Sequence, residues 1–316
     1  MPTPAAAALQ DLTVLERGWL SSNNVLLHAG KHGGDEAAVL VDSGHLNHAA
    51  QTVTLVRQAL KAAGGATLAG TVNTHLHSDH CGGNASVQRA LGGSITVPAG
   101  SWLAASTWDE EALSYRDTGQ RCERFVPSHS LAPGQVLAVG RRRWQALAAP
   151  GHDPESLILF DAQHGVLISA DALWENGFGV VFQELDGERA FDDVAAVLDL
   201  IESLDVRCVV PGHGAPFTDV AGALQRARQR LHSFVADPAR HARHGIKVIA
   251  KYHLMEERQQ ALADYLAWFC ATPLCGRVWQ RLGRPEGSLT AMAERVAHEL
   301  VRGGALALRD GVLFDV

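Results

Sequence analysis

Thr74-His75-Leu76-His77-Ser78-Asp79-His80-Cys81-Gly82-Gly83-Asn84 sets three imidazoles and a carboxylate within the six residues from His75 to His80. Neutral imidazole together with carboxylate suits a borderline divalent cation such as Zn²⁺, Fe or Mn. Four ligands would close one site, yet these lie too near one another in sequence to wrap around a single ion. The run therefore reads as shared between two ions. With 16 histidines in 316 residues, so tight a pattern is not what chance placement gives.

A metal centre draws ligands from several segments, and four more have one form: a short apolar run of β type, then a turn with one metal-competent side chain. These are Val39-Leu40-Val41-Asp42, Ala148-Ala149-Pro150-Gly151-His152, Val166-Leu167-Ile168-Ser169-Ala170-Asp171 and Cys208-Val209-Val210-Pro211-Gly212-His213. Buried strands hold such side chains rigidly, and the loops at their ends can face a cleft. Taken singly, Asp42 reads equally well as a turn carboxylate, and His152 or His213 as a satisfied loop histidine. Together with the first run they read as one ligand set.

In order and spacing, His75-x-His77-x-Asp79-His80, then His152, Asp171 and His213, preceded by Asp42, resembles the metallo-β-lactamase superfamily over roughly residues 12–220. The resemblance implies an αββα sandwich and two divalent ions, zinc being expected, with Fe or Mn as alternatives. It also implies roles: His75, His77 and His152 on the first ion, Asp79, His80 and His213 on the second, and Asp171 bridging both. Asp42 would accept a hydrogen bond from a ligand imidazole and fix its tautomer. Asp79 would also guide the nucleophile, so Asp79 and Asp42 are the candidate catalytic carboxylates. Paired ions about 3.5–4 Å apart can share a bridging hydroxide at neutral pH, so the implied activity is hydrolysis without a covalent intermediate. The chain contains no Gly-x-Ser-x-Gly elbow, Ser-x-x-Lys pair or Gly-x-x-x-x-Gly-Lys phosphate loop.

The length allows about two domains, and 47% hydrophobic residues supply a core. No apolar run approaches the ~20 residues of a membrane span, and Met1-Pro2-Thr3-Pro4-Ala5 lacks the basic start of a signal peptide. Five scattered cysteines fit reduced thiols, so a cytoplasmic location is expected. Residues 1–220 carry 13 Lys and Arg against 25 Asp and Glu, whereas residues 221–260 carry 8 against 3.

The boundaries read as a catalytic domain over 1–220 and a mainly helical domain over 221–316. In the first, helices are expected over 48–61 and 191–204, strands at 25–28, 38–41, 68–72 and 92–97, and a β-meander over 135–148 and 157–170. Thr107 ahead of Asp109-Glu110-Glu111 reads as a helix start. In the second, residues 222–236 and 245–282 read as helical, with Pro238, Gly245 and Pro273 as punctuation, and a helix from Thr290 to Gly303 follows. Asp310-Gly311 between apolar runs signals a hairpin. Helices followed by a hairpin resemble a winged-helix domain; a homodimer through this region is a further expectation.

Thr-His-x-His-x-Asp-His-x-Gly-Gly-Asn is similar to the string in glyoxalase II and related thioesterases, so the first substrate expectation is an ester, thioester or lactone. Trp174, Phe178 and Phe182, after Asp171, are candidate contacts for a small acyl substrate, as are Trp102, Trp108 and Tyr115; each also reads as plain loop packing. RNA is the alternative substrate: some winged-helix relatives cleave single strands, and Arg226, Arg228, Arg230, Arg240, Arg243, Lys247 and Lys251 form a basic island. A solvated helix face explains that island as well, and a net charge of −7 weighs against nucleic acid. A mononuclear-iron persulfide dioxygenase is the second alternative, disfavoured by the complete second ligand set. Cys81 is unusual after Asp79-His80 and reads either as filler or as a thiol near the ions.

Overall fold

The computed structural model describes residues 8–30 and 37–316; the Met1–Ala5 stretch read for a leader lies outside the described residues. Strands β1 (Leu12–Leu15), β2 (Asn24–Leu27), β3 (Ala38–Val41), β4 (Leu68–Val72), β5 (Ser94–Pro98) and β6 (His129–Leu131) form one six-stranded sheet in that order. A second, five-stranded sheet runs β11-β10-β9-β8-β7, from β7 (Val136–Val139), β8 (Arg142–Ala148), β9 (Leu157–Asp161), β10 (Val166–Ala170) and β11 (Cys208–Pro211).

β2, β3, β9, β10 and β11 are buried on both faces, which is why they read as continuous apolar runs. Val25, Leu27, Val39, Val41 and Val72 meet Trp144, Leu157, Leu159, Ile168 and Val210 between the sheets. The opposite face of the first sheet is covered by α1 (Ala49–Ala62) and, beyond the short α2 (Ser78–Cys81), by α3 (Asn84–Leu91), through Val53, Val56, Leu60 and Val87. The outer face of the second sheet packs on two later helices through Val194, Leu198, Ile201 and Leu224. The layers are thus helix, sheet, sheet, helix, an α/β sandwich as expected.

Short helices α4 (Trp102–Thr107), α5 (Tyr115–Thr118) and α6 (Phe182–Asp186) precede the long outer helices α7 (Phe191–Ser203) and α8 (Val220–Ala236). The Thr107 signal is misplaced: α4 ends there, at left-handed Trp108, and Asp109 Oδ1 instead accepts from the Glu111 and Ala112 amides in a turn that does not propagate. Then come α9 (Pro238–Glu257), β12 (Gln259–Ala261), α10 (Leu262–Ala271), α11 (Pro273–Arg281), α12 (Leu289–Arg302) and the hairpin of β13 (Leu306–Arg309) and β14 (Val312–Asp315). The expected hairpin is present, with Asp310 and Gly311 both at positive φ, and β14 lies between β13 and β12. The 245–282 stretch is largely helical, with a further break besides the one expected at Pro273: Arg258 adopts φ +65 and turns the chain into β12. Pro238 and Pro273 sit at the first turn of their helices, where no amide is lost. Gly245 is no break at all: it lies inside α9, where a Cβ would come within 2.8 Å of Leu185.

The last helices are not a detached appendage. Ile246, Ile249, Leu254, Tyr265 and Phe269 share one core with Val180 and Leu185 of the first region. A polar clasp joins the same parts. Asn47 N donates to His45 Nδ1 at 3.2 Å, so His45 Nε2 is the nitrogen that donates to Glu256 Oε1 at 2.8 Å. Arg121 approaches the other Glu256 oxygen at 3.5 Å, and the Glu256 side chain is 1% exposed. Removing one member of such a buried contact strands its partner. Glu256→Ala should therefore cost about 3–5 kcal/mol by denaturant unfolding, and Glu256→Gln, which keeps an acceptor, clearly less; equal losses would show that the side chain only fills space.

Candidate active site

The carboxyl ends of β3, β4, β8, β10 and β11 deliver Asp42, His75, His152, Asp171 and His213, and α2 carries Asp79 and His80. Two clusters result: His75, His77 and His152, and Asp79, His80, Asp171 and His213, each with its ligand atoms within 4.8 Å of one another. In the first, three ring nitrogens converge. His75 Nε2 lies 3.1 Å from His77 Nδ1, which lies 2.8 Å from His152 Nε2. In the second, Asp79 Oδ2 stands 3.1 Å from His213 Nε2.

Asp171 spans the two. Its Oδ2 is 3.3 Å from His152 Nε2, and its Oδ1 is 3.4 Å from His80 Nε2 and 3.9 Å from His213 Nε2. Local backbone features aim it there. The β10–β11 register shifts between Ile168 and Ala170, and Ala170 takes φ +45. Gly212 on the neighbouring strand end leaves the room, since a Cβ there would come within 2.1 Å of Asp171 Oδ1. Trp174 Nε1 donates to the same oxygen at 3.2 Å.

The outward nitrogens are mostly fixed from behind. His152 Nδ1 donates to Val180 O at 2.6 Å, and His80 Nδ1 to Asp42 Oδ2 at 2.8 Å. Asp42 also accepts from Thr74 N at 2.9 Å and Thr74 Oγ1 at 2.7 Å, and it is buried behind His80, away from the cavity. Its contacts are those of a group that orients His80, and it is not on the cavity lining where a candidate catalytic carboxylate would meet substrate. His80 Nε2 is then left buried without a hydrogen-bond partner among the described residues, aimed between two carboxylates. A buried orphan nitrogen, three imidazole nitrogens facing one another and a carboxylate split between them fit divalent cations, and nitrogen–carboxylate donor sets suit zinc, iron or manganese. His213 differs: its Nδ1 has no partner among the described residues, and its ring is held by stacking on Trp19 at 5.4 Å and by the edge of Trp174 at 5.5 Å.

The electrostatics follow from burial. Desolvation and the neighbouring imidazoles push His75 well below its ordinary value; desolvation takes His77 and His152 to about 4. Burial also disfavours a charged His80, but Asp171, Asp42 and Asp79 outweigh it and hold that imidazole well above its usual range. Asp79 is pulled to about 2 against desolvation by His80 and His213.

A cavity of about 630 Å³ opens onto both clusters. Trp174, Phe178 and Phe182 all line it. Trp108 and Tyr115 do not: they pack with Phe125 in a separate core, and Trp102 is surface-exposed. Cys81 is buried behind the site, its thiol against Leu76 O at 3.4 Å and Tyr115 Oη at 3.2 Å. Trp19, Tyr252 and Met255 also line the cavity and escaped the sequence reading, and Arg230, read there only as one of a basic island, lines it too. Trp19 is a lone aromatic in a polar segment, and the others belong to helices whose packing the sequence does not disclose.

Two histidine-rich clusters around a shared aspartate, at one end of an α/β sandwich, define a metal-binding fold. The chain belongs to the metallo-β-lactamase superfamily, whose family model matches residues 17–213. It is 31% identical over 155 residues to the acyl-coenzyme A thioesterase MBLAC2 of Gallus gallus, covering 45% of this chain and 55% of that protein. It is also 31% identical over 193 residues to the hydroxyacylglutathione hydrolase of Anaeromyxobacter dehalogenans (strain 2CP-C), covering 61% and 62%. The chain therefore spans little more than half the length of the curated relatives it matches. Two crystal structures share its fold. A metallo-β-lactamase family protein from Thermus thermophilus has TM-score 0.53 at 19% identity, covering 98% of this chain and 99% of that one. A β-lactamase domain protein from Burkholderia ambifaria has TM-score 0.56 at 18% identity, covering 99% and 95%.

Acid should unfold the metal-free protein early. His75, His77 and His152 are held neutral when folded but take protons when unfolded below about pH 6.5, so stability falls from there toward the folded value of about 4 for His77 and His152. Asp79 acts in the same sense further down, through about 2, whereas His80, raised, loses its contribution only on the alkaline side. Thermal melts of chelator-treated protein between pH 7 and 4 should show the decline, made shallower by His77→Gln; a flat profile would contradict the assignment.

Proposed function

We propose that this protein is a dinuclear metal hydrolase of acyl thioesters, with zinc as the expected cation. The observation that carries the reading is Asp171, whose two oxygens face separate clusters at the floor of a cavity with a mainly apolar lining. His75, His77 and His152 would hold one cation and Asp79, His80 and His213 the other, with Asp171 reaching both. When bound, such cations polarise a carbonyl oxygen and make water acidic enough to attack at neutral pH.

The chain's own residues supply the rest. Asp79, kept ionised and lining the cavity, would orient the nucleophile. Asp42 and Val180 O hold two imidazoles in the tautomer that leaves Nε2 free. Trp174, Phe178 and Phe182 present apolar surface to an acyl chain. Both groups of relatives carry names of thioester hydrolases, which is why an acyl group on a thiol is preferred over a lactone or simple ester.

Residues 221–316 we read as a second, winged-helix-like unit whose α9 walls the cavity through Tyr252 and Met255. The endoribonuclease alternative requires an unneutralised phosphate-binding stripe. In the basic island Arg226 pairs with Asp219, Arg228 with Asp199 and Glu202, Arg243 with Asp237, Lys247 with Glu299 and Lys251 with Asp315. That local neutralisation favours a small organic substrate. Among the described residues no helix is long and apolar enough to cross a membrane.

Elemental analysis of purified protein should return close to two equivalents of zinc; one iron per chain would favour the dioxygenase. Asp171→Ala should abolish thioester turnover and deplete both sites, and Asp42→Ala should cost roughly 10–100-fold in metal affinity or rate. An Asp171→Ala variant that kept its full metal content and rate would overturn the shared-ligand reading. Single-stranded RNA cleaved faster than thioesters by the same preparation would replace the substrate assignment.

A further inference from the structure

Arg230 on α8 and Lys247 and Lys251 on α9 line the cavity. The lysines are already neutralised: Lys247 by Glu299 at 2.6 Å, Lys251 by Asp315 at 2.5 Å. Arg230 is not. Among the described residues no carboxylate lies within ion-pair distance of its guanidinium, Glu175 on the same lining included. Its partners are neutral: Nη2 donates to His244 Nε2 at 2.7 Å, and Nη1 reaches Asn176 O at 3.4 Å. His244 is an acceptor and not a counter-charge, because burial, then Arg230 and Lys247, push it down to about 4.

The side chain is also held in place. It lies over the rings of Phe178 at 5.7 Å and Phe234 at 5.5 Å, contacts that orient a planar guanidinium. Gly177 clears the space beside it, since a Cβ there would approach Nη1 to 2.7 Å. Arginine stays charged when buried, and a partly buried cation with no counter-charge is unfavourable until an anion arrives. On a cavity wall, the incoming ligand is the group that can supply one.

We propose that Arg230 is an anion-recognition residue: the cavity accepts thioesters carrying a carboxylate or phosphate remote from the scissile bond, and Arg230 pairs with that group. This rests on the thioester reading above. It adds the charge of the substrate and the residue that reads it. A carboxylate would come from the acyl group, and a phosphate from the thiol carrier.

Calorimetric binding of three non-hydrolysable thioethers to metal-loaded protein tests it: S-butyl pantetheine, S-(3-carboxypropyl) pantetheine and S-butyl 4′-phosphopantetheine. At least one anionic analogue should bind tenfold or more tighter than the neutral one, and which one does so names the source. Arg230→Gln should erase that preference while leaving the neutral analogue's affinity within about threefold, which also shows that the variant is folded; Arg230→Lys should retain part of it. The proposal is overturned if the wild type binds all three alike, if the preference survives Arg230→Gln, or if the variant loses all three equally. Hydrolysis of the matching thioesters is assayed in parallel. An anion preference that follows Arg230 without any turnover would sink the hydrolase reading alone, and turnover without the preference would sink this one alone.

Discussion

One carboxylate holds this site together. Asp171 lies at a bulged strand end, with Gly212 stripped of a side chain to admit it, and its oxygens are divided between two groups of histidines. In a low-dielectric interior a carboxylate so placed must be matched by positive charge. Asp171, Asp42 and Asp79 together raise His80 well above its usual range, toward the charged form that would match it. Cations bound there would take over that role, and their uptake would then be linked to proton release. The sandwich serves this arrangement: parallel strands from both sheets end on the same side and bring residues more than a hundred positions apart to within a few ångström.

The C-terminal helices complete the cavity. Tyr252 shares a hydrogen bond of 2.7 Å with Ser78, the residue ahead of Asp79, and Gln120 accepts from both the amide and the hydroxyl of Ser78. Together with the His45–Glu256 contact, this couples α9 to the start of α2. The loop from Trp174 to Phe182 lies between, touching Asp171 on one side and Arg230 on the other. The cavity wall and the two clusters therefore share one set of side chains.

Much of this is legible in the sequence because chemistry and periodicity coincide. Strands buried on both faces are plain apolar runs, and a single His or Asp after each is an anomaly that asks for a partner. Short edge elements such as β1, β6 and β12 carry no comparable pattern, since three or four residues with one face exposed look like loop. Gly245 misleads because a glycine cut for close packing against Leu185 has the same letter as one that ends a helix. Trp108 and Tyr115 mislead because an aromatic in a long insert fits a cavity or a private core equally well. Arg230 lies within a basic island, and only tertiary structure separates it from neighbours that already have carboxylates.

The central claim is that two cations share Asp171. X-ray absorption fine structure of the zinc-loaded protein measures it most directly. Nitrogen and oxygen ligands with a metal–metal vector at about 3.5–4 Å are expected, the vector being lost in the Asp171→Ala variant. A spectrum with no metal–metal scattering at full occupancy, or one unchanged in that variant, would contradict it.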